Sequence, residues 1–371
     1  MEREKNLNFI KFVSVYRLLA LVIVLYYHLV VIPTDSSEVV FVINGTLDRP
    51  ITPNNILSVI GRNIYYMFHM DTGSLAVMMF FIASGYLASK MMDRYNRKEY
   101  LVNRVISTFP TLWVSIAVIA VFVYLSQGII FSPDVILSSA IPFFPNISEA
   151  FVSAVWWTIR IEMKFYILVA LFGKNRKNLI LYGYILIAFL TIAGYEFQLP
   201  GLYLQMYDMQ YMVFPLLGVV IDYIQRNKCV DGLKYICVCV LANILLFKIS
   251  SWLFQDSASR MSYPSVTTHI VSVTLFLLLY KIEQIFPNVY NYIPKPIYSI
   301  GKLFLPIYLT HVSCGITVMY QMSRLGINIY LILLGGVVTS FIVAILIYQL
   351  VTKPSLIVMK KVIKLMRQKS E

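Results

Sequence analysis

The run from Phe12 to Ile32 is apolar over about the length that crosses a bilayer as a helix, yet it carries Arg17 and His28. Ionisable side chains inside such a segment are costly to hold in lipid, so by default they mark a functional site. Eleven steps of about 100° return a helix to nearly the same face, so the two share one stripe. At about 1.5 Å per residue they lie roughly 16 Å apart in depth. A guanidinium and an imidazole at two levels of one helix suggest an anchor and a reacting group. The plain alternative has Arg17 snorkelling to the headgroups and His28 hydrogen-bonded inside a packed bundle.

Apolar blocks of this kind recur along the chain. The predicted spans are about 12–32, 74–92, 106–126, 152–172, 178–197, 207–224, 233–254, 266–286, 300–321 and 328–352. Composition agrees, because charged residues are 13% of the 371, about half the share of a soluble domain, and mean hydropathy is +0.73. The fold class expected is an all-α integral membrane protein, a polytopic bundle of about ten transmembrane helices forming a single domain over 1–371. A basic amphipathic tail is expected over about 353–371. The first block is long and lacks a small-residue cleavage site, so it is predicted to stay as a span rather than to be a signal peptide.

The net charge of +13 is set mostly by topology and gives no reason to expect nucleic acid. Arg94, Arg97, Lys98 and Arg104 follow span two, Lys174, Arg176 and Lys177 follow span four, and Arg226, Lys228 and Lys234 follow span six. Lys281, Lys295 and Lys302 border the connection after span eight, and the tail adds Lys353, Lys360, Lys361, Lys364, Arg367 and Lys369. The alternate segments hold few cations: Arg49 and Arg62, then Arg260 and Arg324. The positive-inside rule then puts both termini in the cytoplasm, with some attraction to anionic lipid headgroups.

Two outer loops are long, at about 33–73 and 127–151. The first has turn chemistry at Asn44-Gly45 and Pro50 to Pro53, with His69 and Asp71 close to the start of span two. It reads equally well as acceptor-binding surface or as an ordered cap. Cys229, Cys237, Cys239 and Cys314 form no CxxC pair and look like small hydrophobes. The four histidines are far apart in sequence, with no HxxxH pair, so no metal is expected.

Further motifs follow in order. Span two contains Phe80-Phe81-Ile82-Ala83-Ser84-Gly85, whose small residues let helices approach closely. The segment after it, read as a loop, runs Asn103-Arg104-Val105-Ile106-Ser107-Thr108-Phe109-Pro110. Span four opens Trp157-Thr158-Ile159-Arg160-Ile161-Glu162-Met163-Lys164-Phe165-Tyr166, and span nine carries Tyr308-Leu309-Thr310-His311. Together with the Arg17/His28 spacing, these resemble the membrane-bound acyltransferase family 3, the sugar and polysaccharide O-acetyltransferases, in a stand-alone form without a fused extracytoplasmic SGNH-type domain. The resemblance covers essentially the whole chain.

The resemblance implies that His28 is the catalytic histidine and that Arg17, with Arg104, holds the donor acetyl-CoA. Ser107 stands where the family has a second arginine, so Arg94, Arg97 or Lys98 become candidates to complete a phosphate site. Glu162 matches the family's span-four carboxylate; it could orient His28, pair with Arg17, or neutralise Arg160 or Lys164, and an orienting or structural role is favoured. His311 matches a late histidine and reads as a packed, hydrogen-bonded side chain. His269 and Lys248 have no partner that the sequence identifies.

The leading expectation is an integral-membrane O-acyltransferase of the cell (inner) membrane. It would move an acetyl group from cytoplasmic acetyl-CoA to a hydroxyl of an envelope glycan or lipid-linked sugar, with His28 as base. Direct transfer and an acyl-enzyme are both compatible. The acceptor comes to the bundle itself, or a separate partner protein completes transfer; a homo-oligomer is equally compatible. The rival is a polysaccharide-precursor transporter or flippase using Arg17, His28 and Glu162 as a polar pathway. Against it stands the lack of an inverted repeat or matched broken helices.

Overall fold

A computed structural model describes residues 2–34, 51–52, 55–142, 151–197, 208–227, 229, 231–253 and 264–368. Among them every regular element is helical. The turn residues Asn44, Gly45, Pro50 and Pro53, and the cations Arg49, Lys228 and Arg260, lie outside the described residues.

Helix α1 (Glu2–Tyr26) runs on through a π-helical segment, Tyr27–Val31, and a 3-10 turn, Ile32–Thr34. The others are α2 (Ile56–Phe68), α3 (Thr72–Met91), α4 (Arg97–Gln127), α5 (Pro133–Ala140), α6 (Trp157–Phe172), α7 (Arg176–Phe197) and α8 (Val213–Asn227). Then come α9 (Gly232–Leu253), α10 (Val266–Ile285), α11 (Lys295–Ile300) and α12 (Phe304–Thr310). A second π-helical segment, His311–Gly315, joins α12 to α13 (Ile316–Arg324), and a third, Tyr348–Thr352, joins α14 (Ile329–Ile347) to α15 (Lys353–Gln368).

Eight stretches are long and apolar enough to cross a membrane, so the chain is an all-α, multi-pass membrane protein. The two expected spans that fall short are α6 and α8, with 16 and 15 residues. At about 1.5 Å per residue α8 is roughly 23 Å long, although a helical stretch at 208–211 precedes it. Both are mostly buried and carry the charges Arg160, Glu162, Lys164 and Asp222, which lower their hydropathy. Protein rather than lipid surrounds them, so apolarity on every face is not required.

Helix α3 is the central post, packed against α1, α6, α8 and α10. Its start is capped by the Asp71 carboxylate, which accepts from the backbone N–H of Gly73 at 3.3 Å and of Ser74 at 2.7 Å. Asp71 therefore serves the start of α3. The close crossing of α3 and α8 depends on glycine: a Cβ on Gly85 would fall 1.8 Å from the Pro215 carbonyl oxygen, and one on Gly218 2.1 Å from that of Ile82.

One expectation needs correction. The segment containing Arg104 and Ser107 is helix, not loop. Asn96 and Glu99 form a capping box that starts α4 at Arg97, with Pro110 carried inside it. The tail, helical over Lys353–Gln368, continues from α14, because Ile329–Gln368 forms one run of 40 residues, roughly 60 Å and twice the hydrocarbon thickness. Arg367 near its end donates to the Glu99 carboxylate at 2.9 Å and to the Arg94 carbonyl at 2.7 Å. Pro354, just beyond the third π-helical segment, accounts for the local widening, since its ring displaces the carbonyl four residues back. Pro33 stands in the same relation to the first segment.

At the far ends of α3, α7 and α8 lies an ion cluster. Asp222, with its side chain 0% exposed, meets Lys90 at 2.7 Å, Arg226 at 2.8 Å and Arg176 at 3.0 Å. Arg176 and Arg226 also pair with Asp93, at 2.6 and 2.5 Å. Basic segments predicted to share one side of the membrane are thus joined to one another.

Candidate active site

Arg17, Ser84, Thr158, Glu162 and Tyr308 line one cleft between α1, α3, α6 and α12, walled by Val77, Phe80, Phe81, Ile159, Phe304 and Leu305. The enclosed space is narrow, about 30 Å³, close to the volume of a single water molecule. Residues from four separate sequence motifs meet here.

The Arg17 guanidinium lies 4.3 Å from the centre of the Phe304 ring, a cation–π contact. Glu162 attracts it electrostatically, but no carboxylate among the described residues is within ion-pairing distance of Arg17. The Glu162 carboxylate instead accepts hydrogen bonds from the Ser84 hydroxyl at 2.8 Å and from the Tyr166 hydroxyl. Arg160 and Lys164, the cations on its own helix, both take Asp208: Arg160 through Nε at 2.5 Å and Lys164 through Nζ at 2.5 Å. The idea that Glu162 neutralises them therefore fails, and the carboxylate is left for the cleft.

Arg104 sits behind Glu162. Its guanidinium stacks 4.1 Å from the centre of the Tyr166 ring and 5.3 Å from that of Tyr100. One terminal nitrogen reaches the Met91 sulfur at 3.0 Å, while Nε is buried without a hydrogen-bond partner. A buried guanidinium N–H without an acceptor carries a desolvation cost that an incoming anion would relieve. Ser107 supplies no charge here; its hydroxyl donates to the Arg104 carbonyl at 3.3 Å. Arg94, Arg97 and Lys98 are exposed and do not line the cleft.

His28 does not line this cleft either. It is reached along α12, where Phe304, Phe80 and Tyr308 pack edge to face (4.4 and 5.3 Å between ring centres) and Tyr308 lies 5.9 Å from His311. His311 is 0% exposed, and its Nε2 lies 3.2 Å from Nδ1 of His28. Both histidines occur in π-helical segments, irregularities that concentrate at functional sites. Gly315 permits the two segments to close: a Cβ there would lie 3.0 Å from Leu29, 2.8 Å from the Ser340 hydroxyl and 3.1 Å from the Gly336 carbonyl. Neither Glu162 nor any other carboxylate among the described residues is hydrogen-bonded to His28.

The sequence singles out Arg17, His28, Arg104 and Glu162 but not their partners Tyr166 and Tyr308. It also leaves Ser84 as packing, and reads His311 as a packed, hydrogen-bonded side chain without naming His28 as its partner. The available signals are helical spacings: Glu162/Tyr166 at i,i+4 and Tyr308/His311 at i,i+3.

Among the described residues the bundle thus holds an arginine without a carboxylate partner at one depth and a histidine pair at another. A family model described as the acyltransferase domain matches residues 10–349, so the chain belongs to the membrane-bound acyltransferase family 3 and is an acyltransferase. The family assigns it to the enzymes rather than the transporters. No curated relative and no solved structure matches it.

Proposed function

We propose that this acyltransferase moves an acetyl group from cytoplasmic acetyl-CoA to a hydroxyl of an envelope glycan or lipid-linked sugar, in the cytoplasmic membrane of a bacterium. The observation that supports this reading most is the junction of Arg17, Ser84, Glu162 and Tyr308 in one cleft, with Tyr308 packed in turn against His311 and His311 against His28.

The residues fit an anionic donor. Arg17 has its charge without a carboxylate at contact distance among the described residues, and Arg104 has a buried Nε–H without an acceptor. Both would hold phosphate oxygens of acetyl-CoA through charge-assisted hydrogen bonds. Acetyl-CoA supplies an acetyl group activated as a thioester. Glu162 fixes the Tyr166 face against which Arg104 stacks, so it is a positioning residue for the donor end. The aromatic wall of Phe80, Phe304 and Tyr308 lines the cleft with apolar surface. His28 takes the acceptor hydroxyl proton as the oxygen attacks, and returns it to the departing thiolate.

Mass spectrometry of envelope glycans from cells with and without the protein tests this. O-acetyl groups should vanish without it, return with the wild type, and fail to return with His28→Ala. Acetylation indifferent to the protein would refute the acceptor class; full acetylation by His28→Ala would refute the base.

A further inference from the structure

We propose that His311 is a positioning residue that holds His28 in the tautomer bearing its proton on Nδ1, so that Nε2 presents a lone pair to the acceptor hydroxyl. This rests on the reading of His28 as the base, and it deepens that reading.

The proton on His311 is fixed first. Its Nδ1 lies 3.0 Å from the Ile307 carbonyl oxygen and 2.9 Å from that of Tyr308. Carbonyl oxygens only accept, so Nδ1 of His311 must carry the proton. In the neutral ring Nε2 is then an acceptor, and it points at Nδ1 of His28, 3.2 Å away. His28 Nδ1 also faces the Val24 carbonyl oxygen at 3.1 Å. Two acceptors converge on one nitrogen, and one shared N–H satisfies both. The reverse assignment, a protonated His311 donating to His28, would turn the Nδ1 lone pair of His28 against the Val24 oxygen. Which ring nitrogen bears the proton is set by the hydrogen bond that the other nitrogen's partner demands.

The remaining nitrogen of His28, Nε2, has no hydrogen-bond partner among the described residues, and the ring is only half-buried. It therefore keeps a lone pair that no described residue occupies. Enzymes commonly use a carboxylate to orient a histidine base. At this point a carboxylate would be a buried charge beside Leu29, Val312 and Ile307, all 0% exposed, and costly there. A neutral imidazole gives the same acceptor lone pair without the charge. During transfer the hydroxyl proton passes to Nε2 of His28. The Nδ1 proton stays, its bond to His311 strengthened as His28 becomes positive, and the Nε2 proton leaves with the thiol.

The chain has only four histidines, so full-length protein labelled with 15N-histidine in lipid nanodiscs gives a readable test. His28 is assigned by loss of its signals in His28→Asn. In the wild type at neutral pH, His28 should show a protonated Nδ1 and an unprotonated Nε2. In His311→Ala the Nε2–H form should grow, and turnover should fall about tenfold or more at unchanged acetyl-CoA affinity. His311→Gln, whose amide oxygen can accept from His28, should restore both tautomer and turnover in large part. An Nε2–H form in the wild type, or a tautomer indifferent to His311→Ala, overturns the proposal. A correct tautomer without any acetyl transfer by the wild type would leave the tautomer assignment standing and refute the reaction instead.

Discussion

Two polar clusters of this protein, around Asp222 and around Glu162, are built on opposite plans. Around Asp222 each buried charge finds its counterpart: Lys90, Arg176 and Arg226 surround one carboxylate, and Asp93 joins the two arginines from outside. Around Glu162 the accounting is left open. Among the described residues Arg17 has an aromatic face in place of a carboxylate, Arg104 keeps an N–H without an acceptor, and His28 keeps an open ring nitrogen. The closed cluster ties α3, α7 and α8 together at one membrane face. The open one sits where the family's motif residues meet, and its unmet valences are what a substrate can satisfy. Substitutions in the two clusters should therefore separate stability from catalysis.

The largest effect is expected from His28→Ala, which should lower acetyl transfer by about 10²–10⁴-fold while leaving thermal unfolding in detergent unchanged. Asp222→Ala should do the reverse in kind. It strands three partly exposed cations, costs about 1–3 kcal/mol of stability, and should show as a lowered unfolding temperature and poor recovery on size exclusion. An Asp222→Ala protein as stable as wild type would break the contrast. Arg17→Ala should weaken acetyl-CoA binding about 10–100-fold by isothermal titration, the worth of a charge-assisted hydrogen bond or two, without loss of stability. Gly315→Ala should cost about 1–3 kcal/mol through overpacking, and turnover should drop further as His311 is pushed from His28. Glu162→Gln should have the smallest effect. Its amide oxygen still accepts from Ser84 or Tyr166, so turnover should fall by no more than about fivefold, equivalent to one neutral hydrogen bond.

Much of this architecture is legible in the amino-acid sequence. Apolar blocks about one bilayer long mark the helices, and the alternation of basic segments anticipates which ends the ion pairs join. Arg17 and His28 stand out because charge inside an apolar run is itself a signal. What stays hidden has physical causes. Tyr166, Tyr308 and Ser84 are ordinary residues in a membrane helix, and only the crossing of α3 with α6 and α12 makes them partners of the cleft. His311 meets His28 across 283 residues of sequence, a contact that no local period encodes. Asp208 and Asp222 give no local signal because most of their cations come from other helices. The segment around Arg104 reads as loop because it is polar and contains Pro110, yet a capping box and the packing of α15 along α4 keep it helical.

The proposed mechanism divides labour by depth: donor binding at the level of Arg17 and chemistry at the level of His28, roughly 16 Å apart along the first span. The most direct test is the acetyl-CoA affinity of purified His28→Ala, measured by isothermal titration on the preparation shown to have lost transfer. Division by depth predicts wild-type affinity, within about twofold, in a protein that acetylates nothing. A loss of affinity as large as that of Arg17→Ala would contradict it, since the two levels would then be one site.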